Sequence, residues 1–218
     1  MTPLLARRLC YTLLLLAYLY YVFKLAPPDN GHEPSFLSLA LGRGPAHNPA
    51  IWAVFNLLGV VPLMYWALML PDGRGQRIWA WPFALGMMAV GGFALLPYLI
   101  LRRPFPVPIP GPQNAFARWF GGRPFALFVA AALVSLLVYG VACGDWADYS
   151  RWFRTSSFIH VMTVDFLLLT LLFPALLRDD MARRGVAEDG PLGRFALAVP
   201  LLGAAFYLVR RPPEAAFA

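Results

Sequence analysis

Residues 156–178 read SSFIHVMTVDFLLLTLLFPALLR, and this stretch decides the fold. It is long and apolar enough for a membrane helix, because about 20 such residues cross the hydrocarbon core. Yet His160 and Asp165 lie inside the run. An ionisable group at that depth is costly, so it must face protein or trapped water and have a partner. On a helix turning about 100° per residue, Ser156, His160, Thr163 and Thr170 share one sector, and Asp165 lies about 140° from His160. Two polar facets need protein on both sides, which places this helix centrally in a bundle.

The rest of the chain fits that setting. Of the 218 residues, 60% are hydrophobic and 13% charged, and the mean hydropathy is +0.61. Soluble domains carry about 25% charged residues, so this chain has too little charge to cover a water-facing surface. The net charge of +7 is almost all arginine. The arginines stand in pairs at the ends of apolar runs, where they meet lipid headgroups and fix topology, which argues against nucleic acid as a partner. Cys10 and Cys143 form no disulfide framework or CxxC site and read as packing residues. The first apolar run follows Arg7-Arg8 without a small-x-small cleavage site, so it reads as a retained anchor.

Six apolar runs are expected to span: about 9–26, 51–70, 78–101, 124–143, 157–177 and 193–209. The expected fold is therefore all-α, one transmembrane domain over residues 1–218, with both termini on one face. Pro71-Asp72-Gly73-Arg74-Gly75 reads as the turn between the second and third spans. Gly86, Gly91 and Gly92 let a neighbouring backbone come close. Phe36–Leu41 is too short to span. The alternating prolines from Pro104 to Pro112 read as a stiff spacer, and Asn114–Arg123 as a short helix in the headgroup region. Gly144–Thr155 reads as a loop whose Asp145 and Asp148 form a solvated rim rather than a metal site. Asp180 and Arg184 can pair at i,i+4. No internal or inverted repeat is evident. With six spans the cations divide eight to ten between the faces, which leaves orientation open.

Depth narrows the partners. Asp165 lies about 12 Å from the start of its helix at 1.5 Å per residue; Ser135 and Tyr18 fall at that depth on neighbouring spans, and Tyr139 at the depth of His160. Three functional readings of His160 and Asp165 stand beside the structural one, an interhelical hydrogen bond. They are an axial ligand to chlorophyll or haem, a proton relay, and a catalytic pair. His32 and His47 are weak evidence for a metal. No GxSxG, HExxH, phosphate-loop or dinucleotide motif is present.

Two stretches, FNLLGVVPLMYWALMLPDGRGQRIWAWPFALGMMAVGGFALLPYLILR (residues 55–102) and FIHVMTVDFLLLTLLFPALLRDDM (residues 158–181), resemble small multi-span membrane proteins of cyanobacteria and chloroplasts. The resemblance covers about half the chain. It implies a photosynthetic setting, a thylakoid or cyanobacterium-like plasma membrane, and assigns no activity and no site residues. The expected function is an accessory, assembly or structural factor in the lipid bilayer, in contact with a larger membrane complex. Chlorophyll, carotenoid or haem remain open as cofactors. The alternatives are a small proton- or ion-coupled transporter or channel using Asp165, and a membrane enzyme or pigment-binding protein using His160.

Overall fold

The computed structural model describes residues 2–29, 31, 33–43, 47–107, 109 and 115–213. Among them all regular structure is helical. Helix α1 (Pro3–Tyr20) continues into a π-turn (Tyr21–Leu25). Next come a short helix, α2 (Phe36–Ala40), and α3 (Pro49–Gly73). The third expected span consists of α4 (Ala80–Val90) and α5 (Gly92–Leu101). The short α6 (Ala115–Gly121) leads into α7 (Arg123–Cys143). Helix α8 (Trp146–Thr155) precedes α9 (Ser157–Leu172), and α10 (Pro174–Arg183) extends α9 beyond Pro174. The last two are α11 (Pro191–Ala198) and α12 (Leu202–Arg210).

Among the described residues four helical stretches are long and apolar enough to cross a membrane: Pro3–Leu25, Pro49–Gly75, Arg123–Cys143 and Ser157–Arg183. The third and sixth expected spans depart from the six-span reading, because each is a helical hairpin. The rings of Phe83 on α4 and Tyr98 on α5 lie 5.6 Å apart, whereas in one straight helix fifteen residues would separate them by about 22 Å. Gln76, before α4, and Arg103, after α5, exchange two hydrogen bonds of 2.8 and 2.7 Å. The segment thus enters and leaves on one face. In the second hairpin Phe195 and Phe206 lie 5.3 Å apart, where a straight helix would give about 16 Å.

The backbone at each tip explains the reversal. Gly91 has φ +47° and ψ −118°, a conformation open to glycine and costly for other residues. At the second tip Leu201 has φ +59°, and the Leu202 amide donates to the Pro200 carbonyl at 2.7 Å. That is a γ-turn of the rare, strained hand.

The two hairpins give the chain a repeating order that the sequence reading missed. A long helix, a connection with a short helix, a second long helix and a hairpin occur twice, first as α1–α5 and then as α7–α12. In both halves the returning arm of the hairpin packs on the first long helix, α5 on α1 and α12 on α7. The halves run in the same direction.

The centre also differs from expectation. Helix α3, apolar around its whole circumference, packs against α4, α6, α7 and α9. It carries Leu57, Val61, Met64, Tyr65 and Leu68, all but sealed from solvent. A helix without a polar face is the natural core of a bundle. The Tyr65 hydroxyl donates to the Leu169 carbonyl at 2.6 Å, and its ring stacks on Phe173 at 4.2 Å. Helix α9 is therefore a neighbour of the hub. Cys10 and Cys143 are exposed rather than packed. Residues 144–155, expected as a loop, are mostly the amphipathic helix α8, capped by Asp145, which accepts from the amides of Ala147 and Asp148. Within the stretch expected as a short helix in the headgroup region, Ala115–Gly121 forms α6, with Phe116 and Trp119 exposed. The prolines at 108, 110 and 112, and His32, lie outside the described residues.

Candidate functional site: the Asp165 cleft and the arginine-rich feet

Asp165 stands where the first hairpin turns. Its Oδ1 accepts from the Gly92 amide at 2.8 Å and from the Tyr18 hydroxyl at 2.9 Å. Gly92 is the first residue of α5, so the carboxylate caps a helix that begins inside the apolar layer. Caps satisfy orphan amides, and a negative group suits the positive end of the helix dipole. A Cβ on Gly91 would sit 1.7 Å from Oδ2, so only glycine admits the carboxyl. Depth agrees from both sides. Asp165 lies about 12 Å along α9, and the ten residues of α5 reach up about 15 Å. Together these nearly fill a core of about 30 Å.

The carboxyl is 8% exposed, and Oδ2 has no hydrogen bond among the described residues. Asp165 lines a cleft of about 400 Å³ together with Tyr18, Asn56, Gly59, Met87, Phe93 and Met162. Phe36, Met88 and Val90, also in its lining, are exposed, so the cleft opens on the apolar flank.

The other sequence candidates sit elsewhere. Both ring nitrogens of His160 are engaged, Nδ1 with the Phe153 carbonyl at 2.8 Å and Nε2 with the Tyr21 hydroxyl at 2.5 Å. Phe153 stacks on the ring at 4.2 Å. An axial bond to a porphyrin would have to displace one of these contacts, so His160 as arranged does not fit that role. Its partner is Tyr21, on the π-turn, rather than Tyr139, which is exposed beside Trp52. Ser135 is exposed and away from Asp165. Thr163 bonds Tyr149 of α8 at 2.6 Å and the Ile159 carbonyl at 2.7 Å, while Thr170 bonds the Phe166 carbonyl at 2.7 Å. His160 and Asp165 share no hydrogen bond; α1 reaches Asp165 through Tyr18, and the π-turn that continues it reaches His160 through Tyr21. Glu33, unnoticed in the sequence, accepts from the amides of Ser157 and Phe158 at 2.7 and 3.3 Å and from the Ser156 hydroxyl, closing the start of α9. No group of three or more metal-ligating His, Cys, Asp or Glu side chains occurs among the described residues.

A second constellation holds the feet of the hairpins. Asp72, fully buried, accepts from Arg102 Nε at 2.9 Å, Arg102 Nη2 at 2.7 Å and Tyr98 at 2.5 Å. Asp180, also buried, accepts from Arg211 at 3.0 Å and Tyr207 at 2.8 Å. The pattern is the same in both halves: the second long helix supplies the aspartate, and the returning arm supplies a tyrosine with an arginine four residues later. YLILRRP (98–104) and YLVRRP (207–212) are its trace in the sequence. Arg184 also reaches Asp180, at 2.9 Å, in the i,i+4 pairing that the sequence proposed. Burial works to lower the Arg102 pKa, but Asp72 outweighs it and holds the group above its ordinary value. Asp72 was read as a turn residue, and polarity next to glycine gave no hint of burial.

Comparison with family models, curated proteins and solved structures finds no match to this chain.

Proposed function

We propose that this chain is a membrane accessory protein that holds a lipid-soluble ligand in the Asp165 cleft. One observation carries the reading: a buried carboxyl lines an apolar cleft, its Oδ1 committed to Gly92 and Tyr18 and its Oδ2 without a hydrogen bond among the described residues. Such a site takes a largely apolar molecule with one hydrogen-bonding head group, entering from the bilayer. The setting in a photosynthetic membrane is carried by the sequence resemblance alone.

The topology we propose has four crossings and two hairpins that enter halfway from one face, instead of six crossings. The hairpin arms, at about 12–16 Å, are half a membrane long. Arg7 donates to the Arg102 carbonyl at 3.0 Å, so the N-terminal end of α1 joins the hairpin feet. Lys24, Arg43, Arg151 and Arg154 then lie toward the opposite face. The other fourteen of the eighteen Lys and Arg residues share the face of the feet, which makes that face cytoplasmic by the positive-inside rule.

The test exploits Gly59, which lines the cleft and has nothing within 4 Å of a built Cβ. Gly59→Phe should fill the cleft and leave the fold intact. Protein purified in mild detergent is extracted with organic solvent and analysed by mass spectrometry. The wild type should yield a compound in near-stoichiometric amount that Gly59→Phe loses. Identical extracts from two folded proteins would defeat the proposal.

The helix end at mid-membrane favours a second reading, proton- or cation-coupled transport, because transporters use broken helices in this way. Asp165→Asn separates the two. Asparagine keeps an acceptor for Gly92 and Tyr18, so an accessory protein should accumulate and work. A transporter should accumulate and fail.

A further inference from the structure

We infer that the hollow at the foot of the second hairpin is a binding site for a phosphate group. It measures about 590 Å³ and is lined by Arg123, Arg184, Arg210 and Arg211, with Gly121 and Gly122 between them and no carboxylate among the described residues of its wall. Two of the arginines are built in. Arg184 and Arg211 both bond Asp180, at 2.9 and 3.0 Å, and Arg211 Nη2 is also held by the carbonyls of Ala67 and Gly121 at 3.1 Å each. Asp180 takes Arg183 as well, at 3.4 Å. Three guanidiniums thus converge on one carboxylate, and positive charge is left over on the side of the hollow.

The other two are uncommitted. Arg123 and Arg210 are exposed, and neither guanidinium has a hydrogen bond or ion pair among the described residues. The hollow also receives the start of the 21-residue α7, whose N-cap Gly122 supplies no side-chain bond. Its first amides and its dipole add to the attraction for an anion. Planar guanidiniums present paired donors that match oxyanions rather than a halide, and four of them around one hollow offer more donors than the two oxygens of a single carboxylate take up, which suits a phosphate group. The volume exceeds what a bare ion fills and accommodates the group that carries the phosphate. The site is at headgroup depth, so the phosphate belongs either to an anionic lipid or to a soluble phosphate compound. This inference is independent of the Asp165 cleft.

The full chain is placed in nanodiscs of phosphatidylcholine alone, and its unfolding midpoint is followed by tryptophan fluorescence. One arm adds inorganic phosphate against chloride at matched ionic strength. The other replaces part of the phosphatidylcholine with phosphatidylglycerol. The wild type should gain several degrees in at least one arm. A gain with phosphatidylglycerol alone assigns a lipid headgroup, and a gain with inorganic phosphate assigns a soluble ligand. Arg123→Gln and Arg210→Gln should each raise the phosphate or phosphatidylglycerol level needed for the same gain about tenfold, the value of one charge-assisted hydrogen bond. Arg154→Gln, toward the opposite face, should leave it unchanged. No gain in either arm, or an equal gain in the Arg123→Gln/Arg210→Gln protein, would overturn the inference.

Discussion

Asp72 and Asp180 are joined by one guanidinium: Arg183 donates to Asp72 at 2.9 Å and lies 3.4 Å from Asp180. Each aspartate anchors the returning arm of its own hairpin, so Arg183 ties the feet of the two halves together. Buried ion pairs add little net stability when they replace packing, but removing one partner strands the other charge.

Asp72→Ala should therefore be costly, because it leaves buried Arg102 with Asp179, at 2.6 Å, as its one remaining carboxylate among the described residues and removes a carboxylate from Arg183. We expect a loss of about 3–5 kcal/mol in reversible unfolding from detergent micelles. Glu188→Ala removes an ion pair with Arg178 in which both side chains are exposed and should cost about 1 kcal/mol or less. Equal losses in the two variants would show that the feet are not locked as described.

Gly91→Ala tests the hairpin tip. The added Cβ would meet Asp165 Oδ2 at 1.7 Å, on a backbone of positive φ. Strain and the displaced cap together should cost more than about 3 kcal/mol. Gly59→Ala, with open space around its Cβ, should stay within about 0.5 kcal/mol of wild type.

Leu201→Gly sets strain against packing. Leu201 occupies a strained turn at φ +59°, a conformation that costs on the order of 1–3 kcal/mol for a residue with a side chain. Its side chain is buried in the main core, and deleting a buried leucine costs about 2–5 kcal/mol. A net loss of about 1–2 kcal/mol is expected in thermal unfolding, and a rise in midpoint would show that strain outweighs packing at this tip.

Cysteine labelling from each face of sealed vesicles tests the topology. In a protein with Cys10 and Cys143 replaced by serine, single cysteines at Arg77 and Arg103 should label from the same face. Cysteines at Lys24 and Arg154 should label from the other. Labelling of 77 and 103 from opposite faces would restore the third span.

The sequence by itself determined the material and part of the site. Composition pointed to a helical chain suited to a membrane, and four stretches among the described residues are helices long and apolar enough to cross one. The length of its apolar runs placed α1, α3, α7 and α9, and depth along a helix led from Asp165 to Tyr18. Helix spacing gave the Asp180–Arg184 pair. The tertiary structure alone decided that residues 78–101 and 193–209 fold back. A long apolar run has the same hydropathy whether straight or bent double, because transfer energy counts surface and not direction. What bends it is non-local: a carboxylate from α9 reaching Gly92, and buried arginines meeting Asp72 and Asp180 from distant segments. The same contacts turned an acidic turn residue into the anchor of a hairpin, since burial of a charge depends on partners that only the folded chain brings together.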